Sequence, residues 1–200
     1  MAHLPLTLVH RQKYIQDQLT ESAETKKKMF EACAGDILKA VDVMIRTFNN
    51  TGKVLLCGNG GSAADSQHIA TELVIRMSKP TRPPLAAIAL TTDTSMLTAG
   101  GNDIGFENVF ARQVEALGNK GDVLVAISTS GMSENVNRAI TVAKGRGMTV
   151  IGFLGKDGGS SKALVDIPII IPSNDTQRIQ EGHITVAHII CGILENEMFG

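Results

Sequence analysis

His68 and Glu72 stand four residues apart in the segment QHIATEL. On a helix this spacing sets the two side chains ~40° apart around the axis and one turn apart along it. An imidazole and a carboxylate so placed can bind one metal ion or move protons. The plain alternative is a solvated His/Glu pair on a helix surface. Just upstream, the apolar run Val54-Leu55-Leu56-Cys57 breaks into Gly58-Asn59-Gly60-Gly61, and Ser62 opens the helix. A strand, a loop of bare backbone N–H groups and a helix N-terminus offer a seat for an anion or a polyhydroxyl ligand.

A second cassette has the same form. The apolar stretch 122–127 ends in Ser128-Thr129-Ser130-Gly131, and Ser133 begins the next helix. Hydroxyls and backbone N–H groups at a helix N-terminus can hold a phosphate monoester without a fixed cation. A single serine would read as an ordinary helix cap. Four hydroxyls around a glycine favour a phosphate seat. Nucleotide readings fare worse. Gly58-Asn59-Gly60-Gly61-Ser62-Ala63 fits the fingerprint G-x-G-x-x-A, yet the acid expected ~20 residues on is missing, and Asp93 lies too far along. The Gly-Lys-Ser/Thr of a Walker A loop is absent as well.

The C-terminal segment RIQEGHITVAHII supplies further candidates in Gln180, Glu181, His183 and His188. Spacing alone does not choose between the two histidines. Reach is a second constraint. At ~1.5 Å per residue, Glu72 sits ~15 Å from the start of its own helix. Either residues 128–133 grip the phosphate, or loop and carboxylate serve different copies of the site across a subunit boundary. A combination of the two predicts an obligate oligomer.

These groups need elements to position them. With 43% apolar and 20% charged residues, the 200-residue chain fits one globular domain. A net charge of −1 gives no general pull toward nucleic acid or an anionic membrane. No apolar run approaches the ~20 residues of a membrane helix, and MAHLPLTLVH lacks the cationic lead of a signal peptide. Cys33, Cys57 and Cys191 are widely spaced, as expected of buried thiols in a reducing, cytoplasmic setting.

Residues 1–10 read as a loose arm, followed by one domain over 11–200. Helical spacing of Met29, Ile37, Val41, Met44 and Phe48 predicts two helices within 11–50, with a break near Gly35. Beyond them, an α/β core over 53–200 is predicted. Continuous apolar strands at 53–57, 85–90, 122–127, 148–153 and 166–171 alternate with helices at 62–77, 93–100, 106–117, 133–146 and 176–198. That alternation predicts a three-layer α/β/α sandwich around a five-stranded parallel sheet.

Taken in order, CGNGGSAADSQHIATEL, NDIGF, GDVLVAISTSGMSENV, GKDGG and RIQEGHITVAH closely resemble the sugar isomerase (SIS) domain family, over residues 13–198. The resemblance implies an aldose–ketose isomerase acting on sedoheptulose 7-phosphate, built as a homotetramer with active sites between subunits. It implies that Asn59, Gly60, Gly61, Ser62, Asn102, Asp103, Ser128, Thr129, Ser130 and Ser133 contact the phosphosugar. It further implies that His68, Glu72, Gln180 and His188 bind one zinc ion per subunit. Glu72 and Gln180 would also touch substrate, with Glu72 as base and His188 as acid. Some members carry an acidic residue just before Arg-Ile-Gln. This chain has Gln177 there, which has no acid–base chemistry. The alternative within the family is a non-catalytic phosphosugar-binding regulator or a relative that binds the replication initiator. Such proteins can lack the acid–base pair that Glu72 and His188 supply here.

Overall fold

A computed structural model describes residues 7–200. Five parallel strands, β1 (Val54–Gly58), β2 (Ala87–Ala89), β3 (Val123–Ser128), β4 (Thr149–Gly155) and β5 (Ile167–Ile171), form one sheet in the order β2-β1-β3-β4-β5. Alternate residues of each strand face opposite sides. Val54, Leu56, Val123, Val125, Ile127, Ile151 and Phe153 pack under α1 (Leu8–Asn49), α2 (Gly61–Val74) and α6 (Thr176–Phe199). Leu55, Cys57, Leu124, Ala126 and Val150 pack under α4 (Val109–Leu117) and α5 (Glu134–Gly145). Both faces are therefore covered, which is why the strands are apolar throughout. The three-layer sandwich expected from the sequence is what forms.

The N-terminal helical pair does not form. Residues 8–49 make one helix of 42 residues, capped by the Thr7 side chain, which accepts from the His10 N–H at 3.3 Å. Gly35 lies inside it with open space where a Cβ would project. A mid-helix glycine costs about 1 kcal/mol. Packing of Cys33 and Ile37 in the core on either side of it outweighs that cost. Residues 7–10, expected within the N-terminal arm, belong to the cap and first turn of α1, and residues 1–6 lie outside the described residues.

Two other boundary shifts bear on the site. α3 (Thr94–Asp103) extends past residue 100, so Asn102 and Asp103 are helical. α2 stops at Val74 rather than 77. Its continuation is prevented because the Met77, Ser78 and Lys79 N–H groups donate to the Glu195 carboxylate at 2.8–3.0 Å. No helix of the described residues is long and apolar enough to cross a membrane. The three cysteines are free and buried, and burial pushes the Cys57 thiol up to about 12. Because Gly35 borders open space, Gly35→Ala is expected to raise stability by about 1 kcal/mol, read as a higher denaturation midpoint.

Candidate active site

Between β1 and β3 the strand order reverses direction, and the loops after these strands leave toward opposite faces of the sheet. A crevice opens at such a point beyond the carboxyl ends of the strands. Here a cleft of about 380 Å³ is lined by Asn59, Phe106, Glu107, Ser133, Glu134 and Asn135. Gly60, at φ +55°, caps α2 without any side-chain bond, and Ser133 caps α5 likewise. Neither N-terminus is closed by its own cap side chain, as an anion seat requires.

The two loops are joined across the crevice. Asn59 and Asn135 exchange reciprocal amide hydrogen bonds, each at 2.9 Å, and the Asn135 oxygen also accepts the Val136 N–H. Asn135 was missed in the sequence because an asparagine at a helix start is unremarkable there. Ser128 Oγ lies 3.1 Å from Ser133 Oγ and accepts the Gly131 N–H, while Ser130 Oγ accepts the Met132 N–H. The hydroxyl loop is thus folded on itself. Behind it, the Gly131 carbonyl accepts both the N–H and hydroxyl of Ser161 at 2.9 Å. Gly131 has φ +64°, and a Cβ there would stand 2.0 Å from the Gly158 carbonyl oxygen.

A second group of donors sits farther along α2. His68 Nε2 lies 3.2 Å from Glu72 Oε1 and 3.1 Å from Nε2 of His188, which comes from α6. One ligand atom from each residue falls within 4.8 Å of the others. Bonds of ~2.0–2.2 Å in a tetrahedral site place ligand atoms ~3.3 Å apart, so this donor set fits a divalent metal of the zinc type. Gln180 is placed elsewhere on α6, with its amide nitrogen 2.4 Å from where a Gly61 Cβ would be. A side chain at 61 would displace the Gln180 amide from this position. Gln180 precedes His188 by two turns, ~12 Å along the helix.

His183 has the other fate open to a helix histidine. It is fully buried, with one ring nitrogen 2.9 Å from the Leu154 carbonyl and its ring 5.9 Å from that of Phe153. Burial lowers its pKa to about 4, against a smaller opposing push from the Leu154 carbonyl. His183 and His188 lie ~140° apart around α6, so only one can face α2.

Other expected site residues are distributed as follows. Ser62 is buried in the first turn of α2, folded back on Gly58. Thr129 and Ser130 are half-exposed beside the cleft. Asn102 and Asp103 are exposed at the end of α3 and bonded to each other at 2.6 Å. From that side it is Phe106 and Glu107 that line the cleft. The donors on α2 lie seven and eleven residues from Gly61, ~10 and ~16 Å along the helix. Within one chain the hydroxyl loop and the His/Glu group are separate.

A doubly covered parallel sheet with glycine- and serine-rich loops at its reversal point is the architecture of the SIS domain. A family model for that domain matches residues 18–155, and the chain belongs to this family. It is 53% identical to a phosphoheptose isomerase of Trichlorobacter lovleyi over 94% of this chain and 96% of the relative. The phosphoheptose isomerase structure from Neisseria gonorrhoeae superposes with a TM-score of 0.87 at 44% identity, covering 92% of this chain and 98% of that one. The Francisella tularensis phosphoheptose isomerase gives 0.90 at 38% identity, covering 93% and 98%.

Two outcomes test this geometry. Gly131→Ala is expected to disorder the hydroxyl loop and abolish phosphosugar binding, measured by calorimetry, because both its φ and its backbone neighbour exclude a Cβ. His183 binds its proton less readily when folded, so the unfolded chain takes it up first as pH falls. Its contribution to stability is full above about 6.5 and lost progressively toward about 4, roughly 3 kcal/mol in all. His183→Gln should flatten the denaturation midpoint against pH across that window relative to wild type.

Proposed function

We propose that this protein is a phosphosugar isomerase converting sedoheptulose 7-phosphate to D-glycero-D-manno-heptose 7-phosphate, the first step of bacterial ADP- or GDP-heptose biosynthesis. The observation that carries the reading is the meeting of His68, Glu72 and His188 from two helices, in a chain whose relatives are phosphoheptose isomerases. A non-catalytic phosphosugar sensor has no need of that triad.

The reaction moves one proton between neighbouring carbons. Glu72 takes the proton from C1 of the ketose, leaving an enediolate. His188 shuttles a proton between O1 and O2, and the proton held by Glu72 returns to C2 to give the aldose. A divalent ion, when bound, would supply Lewis-acid stabilisation of the developing oxyanion. His68, Glu72 and His188 would hold that ion, zinc in this reading and one per subunit. The base and acid roles of Glu72 and His188 belong to the states in which each is free of it, because a zinc-bound carboxylate or imidazole is a poor proton carrier. Gln180 joins them as a ligand and substrate contact by resemblance to the family. Ser128, Thr129, Ser130 and Ser133 hold the phosphate with the backbone N–H groups of α5. Asn59, Gly60, Gly61, Ser62, Asn102 and Asp103 bind along the sugar.

The separation of hydroxyl loop and triad within one chain supports active sites shared between subunits of a homotetramer. A second observation agrees. The apolar face of α1 that enters the core between Met29 and Met44 continues through Leu8, Ile15 and Leu19, which are 58–71% exposed. Phe30, 78% exposed, borders an apolar groove between α1 and α6. Unpartnered stripes of this length belong at subunit contacts. A cytoplasmic location completes the reading, in keeping with the three free, buried cysteines.

The test is turnover of sedoheptulose 7-phosphate by pure, metal-replete protein. Wild type is expected to be active, chelation to abolish activity and zinc to restore it. Glu72→Gln should lower kcat by roughly 10³-fold with the fold intact. Absence of turnover by the metal-replete wild type would falsify the assignment.

A further inference from the structure

α2 and α6 run side by side in the same direction, with neighbours at an almost constant offset. Gly61 meets Gln180 and His68 meets His188, and in the segment just past α2 the same offset holds where Met77 meets Glu195 and Lys79 meets Phe199. Much of the contact between the helices is apolar, through Ile69, Leu73, Ala187, Ile190 and Cys191 in one cluster. Apolar contact sets how close two helices lie but is non-directional, so it resists sliding poorly. Directional bonds must set the register.

The strongest such bonds lie just beyond the His/Glu/His group. The Arg82 and Glu195 side chains form an ion pair at 2.6 Å and are 1% and 3% exposed. Other arms of the guanidinium donate to the backbone carbonyls of Pro83 and of Glu72 itself. The carboxylate accepts the N–H groups of Met77, Ser78 and Lys79. Burial alone would raise the Glu195 carboxyl, but the Arg82 guanidinium and those three donors outweigh it and bring it down to about 2. It therefore stays charged at neutral pH. This network grips α2 at the backbone of a triad residue and grips α6 two turns past His188.

We propose that Arg82 and Glu195 are positioning residues of the triad: they set the register of α2 against α6, and with it the spacing of His68 and Glu72 from His188. The inference rests on the metal-binding reading of that group. A registry role is the best-attested use of a buried ion pair, and residues behind metal ligands tune affinity strongly.

Cobalt(II) titration of the apoprotein, followed by visible absorption, tests this without an activity assay. Arg82→Lys keeps the charge but cannot reach Glu195, Pro83 and Glu72 together, and Glu195→Gln keeps the side-chain shape. Each is expected to weaken cobalt affinity by about 10–100-fold. Asp122→Asn is the control. Asp122 is an equally buried carboxylate that holds Lys53 and two backbone N–H groups where β1 and β3 begin, with neither Arg82, Glu195 nor a triad residue among its partners. It should lower the melting temperature comparably yet change cobalt affinity by no more than about twofold. Wild-type affinity in Glu195→Gln, or an equal loss in Asp122→Asn, overturns the positioning role. If Arg82→Lys does not fold, Glu195→Gln decides alone. A wild type that binds no cobalt overturns the metal reading instead, so the two failures are distinct.

Discussion

Parallel strands all end on the same edge of a sheet, and right-handed crossovers send each following helix to a face set by which way the chain moves along the sheet. From β1 the chain moves to β2 on one side, and from β3 it moves to β4 on the other. That single reversal puts α2 and α5 on opposite faces while their N-termini stay neighbours. The crevice between them, the two uncapped helix starts and the pairing of α2 with α6 all descend from it. Had β2 been placed beyond β3, the two loops would lie on one face and no cleft would open.

Once the loops are neighbours, their shape is held by bonds that leave little freedom. The reciprocal amide pair of Asn59 and Asn135 spans the reversal point and satisfies both side chains at once. The hydroxyl loop leans on residues 158–161 through backbone contacts so close that glycine is required at 131. Such backing matters because an anion seat made of N–H and O–H dipoles works only if those dipoles already point inward. With no lysine or arginine in the loop, preorganisation must replace charge.

The triad depends on a different contact. Its members come from two helices on one face, so their spacing records how those helices sit against each other. The same face carries α1, whose apolar stripe runs past the end of its own domain. Interior packing and the exposed stripe are thus two parts of one surface.

Much of the fold was legible because its physics is local or periodic. Strands buried on both faces show unbroken apolar runs, and Gly-Asn-Gly-Gly-Ser and Ser-Thr-Ser-Gly-x-Ser announce loops that need bare backbone and hydroxyls. Pairing His68 with Glu72 needs only helix geometry. Where the reading failed, the deciding atom was remote. Gly35 looked like a break, because nothing nearby in sequence reveals the core that holds α1 straight. α2 ends early because a carboxylate 118 residues away captures the Met77 N–H. Asn135 gained its importance from Asn59, 76 residues distant. His183 and His188 are alike in sequence terms, since both lie on one apolar helix. The sheet chose between them, by setting a carbonyl of β4 against one and leaving the other to face α2. The chemistry available to this protein was determined by residue type and spacing along the chain. Which side chains share a site was decided only by the tertiary structure, because strand order and helix register bring together groups that no local spacing relates.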